Sequence, residues 1–157
     1  MTPQEMKDIA RRGAAECWHW RNMDALDDIL SPDYQVYVGG KLMYSGRDAM
    51  KTQVQQAQAA FPDVNVTVED LIAEGDRVVA RFTFRGTHTG TYHMDMGDMP
   101  PTGRKVEVTG IIIFRFEDGK IIENREVLDN FGMLQQLGII PTPGQAPDGA
   151  SGATSEA

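Results

Sequence analysis

The hydrophobic pattern changes its period along the chain. In the N-terminal third, apolar residues recur every three or four positions, for example at Met50, Val54, Ala57 and Phe61, which indicates amphipathic helices. From Val64 onward apolar and polar residues alternate, which indicates strands. Helices followed by a run of antiparallel strands predict an α+β fold.

Capping residues mark the helix ends. Thr2 and Glu5 form the pattern of a capping box around a proline at the first helical position, and they predict a first helix over residues 3–20. Asn22 is predicted to cap a second helix that runs through Leu30. A third helix ends at Pro62. The alternating segments predict strands at residues 34–38, 41–44, 64–73, 77–88, 105–116 and 120–129.

The last two strands form a predicted hairpin around Asp118-Gly119, a pair that suits a type I′ turn. A two-residue turn sets the opposite pairs as Glu117–Lys120, Phe114–Glu123, Ile112–Arg125 and Val108–Asp129. Arg125 and Asp129 then share a largely apolar face. We expect such a setting to raise the pKa of the Asp129 carboxyl toward the range useful for proton transfer.

Composition narrows the classes of protein. A chain of 157 residues with a net charge of −8 fits one domain, and its scattered basic residues give no footprint for nucleic acid or an anionic membrane. The single cysteine, Cys17, excludes an intrachain disulfide and is expected to be a small buried apolar residue. The N-terminus shows no signal-peptide pattern, so we expect a soluble, cytoplasmic protein. Residues 141–157 are rich in Pro, Gly, Ala, Ser and Thr and are predicted to be a disordered tail after a domain of residues 1–140.

Five short segments together resemble the SnoaL-like polyketide cyclases, or ester cyclases, of the nuclear-transport-factor-like and ketosteroid-isomerase-like superfamily. The resemblance covers roughly residues 3–140 in the same order. The segments are 86–90 (GTHTG), 100–106 (PPTGRKV), 114–121 (FRFEDGKI), Asp129 and 134–138 (LQQLG).

The resemblance implies a cone-shaped α+β fold, in which a curved, mainly antiparallel sheet wraps around three N-terminal helices and encloses an apolar pocket. It also implies ring closure of an aromatic polyketide ester by intramolecular aldol condensation, without a cofactor or metal and with an aspartate as acid/base. Asp129 stands where that aspartate is expected. His88 is a candidate to support the enolate or relay the proton, and Arg125 is a candidate source of positive charge.

A flat apolar or aromatic carbonyl substrate needs an apolar wall. The predicted substrate-binding residues are Trp18, Tyr34, Tyr37, Phe82, Ile112, Phe114 and Met94. Trp20 lies two residues from Trp18, so at most one of the two faces the pocket. The methionine-rich segment 92–99 is either a lid or packing at the mouth of the cone.

Several alternatives remain open. Many family members carry tryptophan where Arg125 stands, which indicates a more polar pocket here. Asp129 could instead pair with Arg125, and His88 could be structural. An epoxide hydrolase of the limonene-epoxide type would need Arg125 with a second carboxylate, either Glu123 or Asp95. A third possibility is non-catalytic binding of a small apolar ligand. A solvent-facing Asp129 would contradict its catalytic role.

The run Ile111–Ile113 places bulky side chains on both faces of one strand. One face is expected to cover the helices. The other is shielded either by a second subunit, as in a homodimer or higher homo-oligomer, or inside the monomer.

Overall fold

The protein is described by a computed structural model over residues 1–94 and 96–144. Asp95 and residues 145–157, which include most of the predicted tail, lie outside the described residues.

The three predicted N-terminal helices are present. Helix α1 (Pro3–Ala14) continues into a π-helical turn at Ala15–His19, a 3₁₀ turn leads into α2 (Leu26–Ile29), and α3 spans Arg47–Ala60. The capping box is confirmed, because Thr2 Oγ1 accepts from the Glu5 amide at 3.1 Å and Glu5 Oε2 accepts from the Thr2 amide at 2.6 Å. The Asn22 side chain makes no capping hydrogen bond, so that prediction is wrong. A further helix, α4 (Asn130–Gln136), was not predicted.

A six-stranded sheet forms the second layer. Its strands are β1 (Leu30–Val38), β2 (Lys41–Ser45), β3 (Asn65–Glu74), β4 (Arg77–Thr87), β7 (Lys105–Glu117) and β8 (Lys120–Leu128). Their order is β2-β1-β8-β7-β4-β3, and all neighbours are antiparallel except β1 and β8, which run parallel. Strands β5 (Tyr92–Met94) and β6 (Gly97–Met99) pair separately as a small hairpin. The α+β prediction and the mainly antiparallel sheet are confirmed.

The β7–β8 turn follows the prediction, but the register beyond it does not. Asp118 and Gly119 both have positive φ, of 48° and 79°, and Glu117 lies opposite Lys120. A bulge at Ile122 then shifts the pairing by one residue, so that Arg115 lies opposite Glu123. Since side chains alternate between the faces of a strand, this shift exchanges the two faces of the rest of β8.

The shifted register corrects three predicted pairs. Ile113, instead of Ile112, lies opposite Arg125, while Ile112 lies opposite Glu126. Phe114 lies opposite Asn124, and Val108 has no partner in β8 because that ladder ends at the Gly110–Leu128 pair.

The inner face of the sheet packs on the helices around buried residues from both layers. Met6 of α1, Leu26 of α2 and Val54 of α3 join Tyr34 and Val78 in one core cluster. The outer face carries Ile72, Ile111 and Val127, with 64%, 50% and 67% of each exposed. The monomer therefore does not bury both faces of the sheet, and its association with a second subunit stays a prediction.

Candidate functional site

A cavity of about 280 Å³ lies between the inner face of the sheet and the helices. Most of its wall is apolar, and the aromatic residues on it are Trp18, Tyr34, Tyr44, Phe61, Phe82, Phe84, Tyr92 and Phe114. Wide apolar pockets with a few polar groups are typical of small-molecule sites. The site is therefore defined by the polar side chains that interrupt this wall.

Glu126 is the carboxylate on this wall, and among the described residues no other Asp, Glu, Lys or Arg lines the cavity. Strand β8 places it there, because after the bulge Glu126 lies opposite Ile112 of β7, which also lines the cavity. Burial raises the pKa of the Glu126 carboxyl, and a hydrogen bond from Asn124 opposes this rise. A carboxylate with a raised pKa in an apolar cavity can take a proton from carbon acids.

Two polar side chains stand beside Glu126 on the same wall. Asn124 is 6% exposed, and its Nδ2 donates to Glu126 Oε2 at 3.2 Å. Tyr34 is fully buried. Burial raises the pKa of its phenol, and the opposing hydrogen bond with Asn124 offsets only part of this rise. Tyr34 therefore stays a neutral phenol at ordinary pH. Glu126, Asn124 and Tyr34 form one polar cluster in the apolar wall.

The predicted position of Asp129 on the cavity wall is wrong. Asp129 is exposed and is the N-cap of α4, where its Oδ1 accepts from the Gly132 amide at 2.9 Å. It follows the last residue of β8, and its own amide donates to the Thr109 carbonyl at 3.1 Å. Its carboxylate is a helix cap and does not reach the cavity.

Arg125 and Tyr37 lie on the outer face of the sheet, so their predicted positions in the pocket are also wrong. The Arg125 guanidinium lies over the Tyr37 ring at 4.0 Å from its centroid, and its Nε donates to Glu123 Oε1 at 2.9 Å. The pairing with Glu123 raises the pKa of Arg125. Neither side chain lines the cavity. The bulge turned the Arg125 part of β8 over, and Tyr37 of β1 is the neighbour of Arg125 in the β1–β8 pairing.

His88 is fully buried next to the cavity without lining it. Its ring packs on Phe61 at 5.3 Å between centroids, and its Nδ1 lies 3.0 Å from Thr102 Oγ1. Burial lowers the pKa of His88, against an opposing hydrogen bond with the Gly90 backbone. These contacts fit the structural alternative for this histidine better than the catalytic one.

Five of the seven predicted substrate-binding residues do line the cavity, namely Trp18, Tyr34, Phe82, Ile112 and Phe114. Their role in binding a substrate stays a prediction. Trp20 is 61% exposed, as expected for the partner of Trp18 that faces away. Met94, like Tyr37, is not on the wall.

The β5–β6 hairpin brings a histidine that the sequence analysis had not selected. His93 lines the cavity although half of its side chain is exposed, and its Nδ1 lies 2.7 Å from Asp98 Oδ1. An aspartate that holds one ring nitrogen fixes the direction of the other. His93 is therefore an oriented polar group at the exposed edge of the cavity.

The π-helical turn after α1 also shapes the wall. It carries Cys17 and Trp18, both of which line the cavity, and Gln58 Nε2 of α3 donates to the Cys17 carbonyl at 2.9 Å. Burial raises the pKa of the Cys17 thiol to about 12, so it is a neutral apolar group there. The prediction of a small buried apolar cysteine is confirmed.

Residues 1–94 and 96–144 contain no group of three or more His, Cys, Asp or Glu side chains that could hold a metal ion. The same residues contain no helix long and apolar enough to cross a membrane.

Comparisons with known proteins agree with the fold. The family model of the SnoaL-like polyketide cyclases matches residues 8–137. The nogalonic acid methyl ester cyclase of Streptomyces nogalater is 31% identical over 119 residues, which cover 73% of this chain and 84% of that protein.

Solved structures of other proteins have a similar fold. TsrD from Streptomyces laurentii superposes with a TM-score of 0.76 at 26% identity, over 89% of this chain and 99% of TsrD. A SnoaL-like polyketide cyclase from Agrobacterium tumefaciens superposes with a TM-score of 0.68 at 26% identity, over 85% of this chain and 98% of that protein.

Proposed function

Because the chain belongs to the SnoaL-like polyketide cyclase family, we propose that it closes a ring in a polyketide-type carbonyl compound by acid/base catalysis, with Glu126 as the base. The observation that carries this proposal is the single carboxylate on the apolar wall among the described residues. The reaction needs no cofactor.

The proposed reaction is an intramolecular aldol closure. The Glu126 carboxylate takes a proton from a carbon next to a carbonyl group, and the resulting enolate carbon attacks a second carbonyl of the same molecule. The new C–C bond leaves an alkoxide, which recovers the proton from the Glu126 carboxyl. Atoms and charge balance, and one residue serves in turn as base and acid.

The surroundings of Glu126 support this role. Burial raises its pKa, so its carboxylate is a stronger base than that of an exposed glutamate. The enolate must be stabilised by neutral hydrogen-bond donors, because no Lys or Arg among the described residues lines the cavity. Tyr34, Tyr44 and His93 are candidates on the wall.

The epoxide hydrolase alternative loses its support. It required Arg125 and a second carboxylate in the pocket, but Arg125 and Glu123 pair with each other on the outer face. Asp95, the other candidate, lies outside the described residues. Non-catalytic binding remains the competing function that an experiment must separate from catalysis.

The test compares wild type, Glu126→Gln and the matched control Asp129→Asn on nogalonic acid methyl ester, the compound in the name of the curated relative. Chromatography with mass detection follows the product, which has the same mass as the ester and a different retention time. General acid/base catalysis contributes about 10²- to 10⁴-fold. We therefore expect Glu126→Gln to lose that factor while Asp129→Asn stays within about twofold of wild type.

A large loss of turnover in Asp129→Asn, with Glu126→Gln close to wild type, would instead assign the catalytic role to Asp129. Wild-type conversion no faster than that of Glu126→Gln would overturn catalysis of this reaction. Binding of the ester in that case, measured by calorimetry, would favour the non-catalytic function.

A further inference from the structure

We propose that Gly110 determines the size of the ring system that the cavity accepts beside Glu126. The absence of a side chain at this position lets Phe82 and Leu128 lie close against the sheet, which leaves room in the cavity above them. The inference assigns a specificity-determining residue. It rests on the proposed function only for the role of Glu126 as the reacting group.

Gly110 lies near the centre of the inner face of the sheet. It is a buried residue of β7, with Leu128 of β8 on one side and Phe82 of β4 on the other. Glu126 lies two residues before Leu128 on β8, and the two side chains therefore point to the same face. Gly110 is thus next to the part of the wall that carries the proposed base.

The backbone conformation does not explain a glycine at this position. The φ angle of Gly110 lies outside the left-handed range, so alanine can adopt the same conformation. A glycine inside a strand also weakens the strand, because it loses more conformational freedom on folding and packs no side chain. The reason for glycine therefore lies in the space around it.

Two side chains occupy the space directly above Gly110. A Cβ atom on Gly110 would lie 2.6 Å from both Phe82 Cζ and Leu128 Cδ2, and 2.9 Å from Phe82 Cε1. Carbon atoms in van der Waals contact are about 3.5–4.0 Å apart, so both side chains would have to move. The atoms concerned are the ends of these side chains, which can turn away while the backbone keeps its place.

The free space into which they can turn is the cavity. Phe82 and Leu128 line it, whereas Gly110 beneath them does not, and the backbone of the sheet closes the opposite direction. Gly110→Ala would therefore lift the Phe82 ring and the end of Leu128 away from the sheet. The room beside Glu126 would become smaller, without any change in the polar groups of the wall.

The test compares 2-naphthol with 9-phenanthrol in fluorescence titrations of the full chain. The two phenols carry the same polar group and differ by one fused ring, so the ratio of their dissociation constants reports the size of the site. We expect Gly110→Ala to weaken the binding of 9-phenanthrol about tenfold or more relative to 2-naphthol, because overpacking is costly and the smaller probe can shift away from the raised side chains.

Gly13→Ala is the matched control. It adds the same methyl group to another part of the cavity wall, on α1, without displacing a side chain. A Cβ atom on Gly13 would lie 3.5 Å from Ile29 Cγ2, which is an ordinary contact. This variant should keep the ratio of the two dissociation constants within about twofold of wild type.

A second substitution should reverse the effect. Leucine lacks the Cε1 and Cζ atoms of Phe82, so the double variant Gly110→Ala/Phe82→Leu should return the ratio to within about threefold of wild type. Phe82→Leu alone keeps the test decisive if Gly110→Ala does not fold. It opens room above Gly110 and should shift the ratio about twofold or more in favour of 9-phenanthrol.

Four results would overturn the proposal. They are a wild type that binds neither phenol, an unchanged ratio in folded Gly110→Ala, an equal loss in Gly13→Ala, and a loss that Phe82→Leu does not relieve. If Gly110→Ala does not fold, a wild-type ratio in Phe82→Leu would overturn it as well.

The readout also separates this role from a structural one and from the proposed function. A glycine needed only for folding would lower the stability of Gly110→Ala and leave the ratio unchanged. The titrations do not involve turnover, so a chain that fails to cyclise the ester would contradict the proposed function and leave the role of Gly110 standing.

Discussion

Strand β8 carries two buried or half-buried glutamates, three residues apart, in opposite settings. Glu123 lies on the outer side of the sheet, 2.9 Å from Arg125 and 3.8 Å from Arg115. Glu126 lies on the cavity wall, where its described hydrogen-bond partner is the neutral amide of Asn124. The same side chain is thus a structural ion-pair partner on one face and a candidate base on the other. Its surroundings make the difference, and the bulge at Ile122 assigns the faces.

The largest expected effect separates the two glutamates. Glu126→Gln should reduce cyclisation by about 10²- to 10⁴-fold. Glu123→Gln should leave the rate within about twofold and instead lower the free energy of unfolding by about 1–3 kcal/mol, because it leaves arginines without a charged partner. Cyclisation kinetics measure the rates of both variants, and urea unfolding measures their free energies of unfolding. Similar rate losses in both would remove the functional difference between the faces.

The pH dependence should follow Glu126. The base must be ionised, and burial raises its pKa above the ordinary value of 4.5, so the rate should fall about tenfold per pH unit below the raised pKa. A pH–rate profile measures this. A rate that stays constant down to pH 4.5 would contradict a raised pKa for the base.

The same shift has a defined effect on stability. Between 4.5 and the raised pKa, native Glu126 holds a proton that the unfolded chain has lost, so wild-type stability should decrease as pH rises through this window. Glu126→Gln should lack this decrease. At neutral pH the variant should be more stable than wild type, by about 1.4 kcal/mol for each pH unit by which burial raises the pKa of Glu126. Urea unfolding of both proteins across the pH range shows whether the free energy of unfolding of wild type decreases as pH rises.

Asp129 should matter for stability and not for chemistry. Asp129→Ala removes the cap of α4 and should cost about 0.5–2 kcal/mol, whereas Asp129→Asn should cost only a few tenths because asparagine caps equally well. Thermal unfolding of the two variants measures the difference. Equal losses would argue against capping as the function of this carboxylate.

A smaller effect on folding is expected from the outer apolar residues. Val127 is 67% exposed, so Val127→Lys should change monomer stability by less than about 0.5 kcal/mol. If this face joins a second subunit, as the sequence analysis predicts, the variant should sediment as a monomer under conditions in which wild type does not. A wild type that is already monomeric would refute the association.

Sequence reasoning predicted the elements well because their signals are local. The capping box at Thr2, the turn at Asp118-Gly119 and the change of period after Phe61 each depend on neighbouring residues. The parallel pairing of β1 with β8 depends on distant segments and was not predicted.

The residues after the bulge of β8 were assigned to the wrong face of the sheet for one reason. Counting opposite pairs from the turn assumes an uninterrupted ladder, and one extra residue reversed every later side chain. The consecutive apolar pair Ile121 and Ile122, which breaks the alternation of β8, was the signal that could have indicated a bulge. With that correction, Glu126 replaces Asp129 on the apolar face and Arg125 leaves it.

The most direct test of this account is the pKa of Glu126 itself, without any substrate. Titration of glutamate side-chain carboxyl carbons by NMR, with the Glu126 signal assigned from its loss in Glu126→Gln, gives that value. We expect a midpoint clearly above 4.5 for Glu126. A midpoint at or below 4.5 would mean that the carboxylate is well solvated or ion-paired and would contradict its position in the apolar cavity.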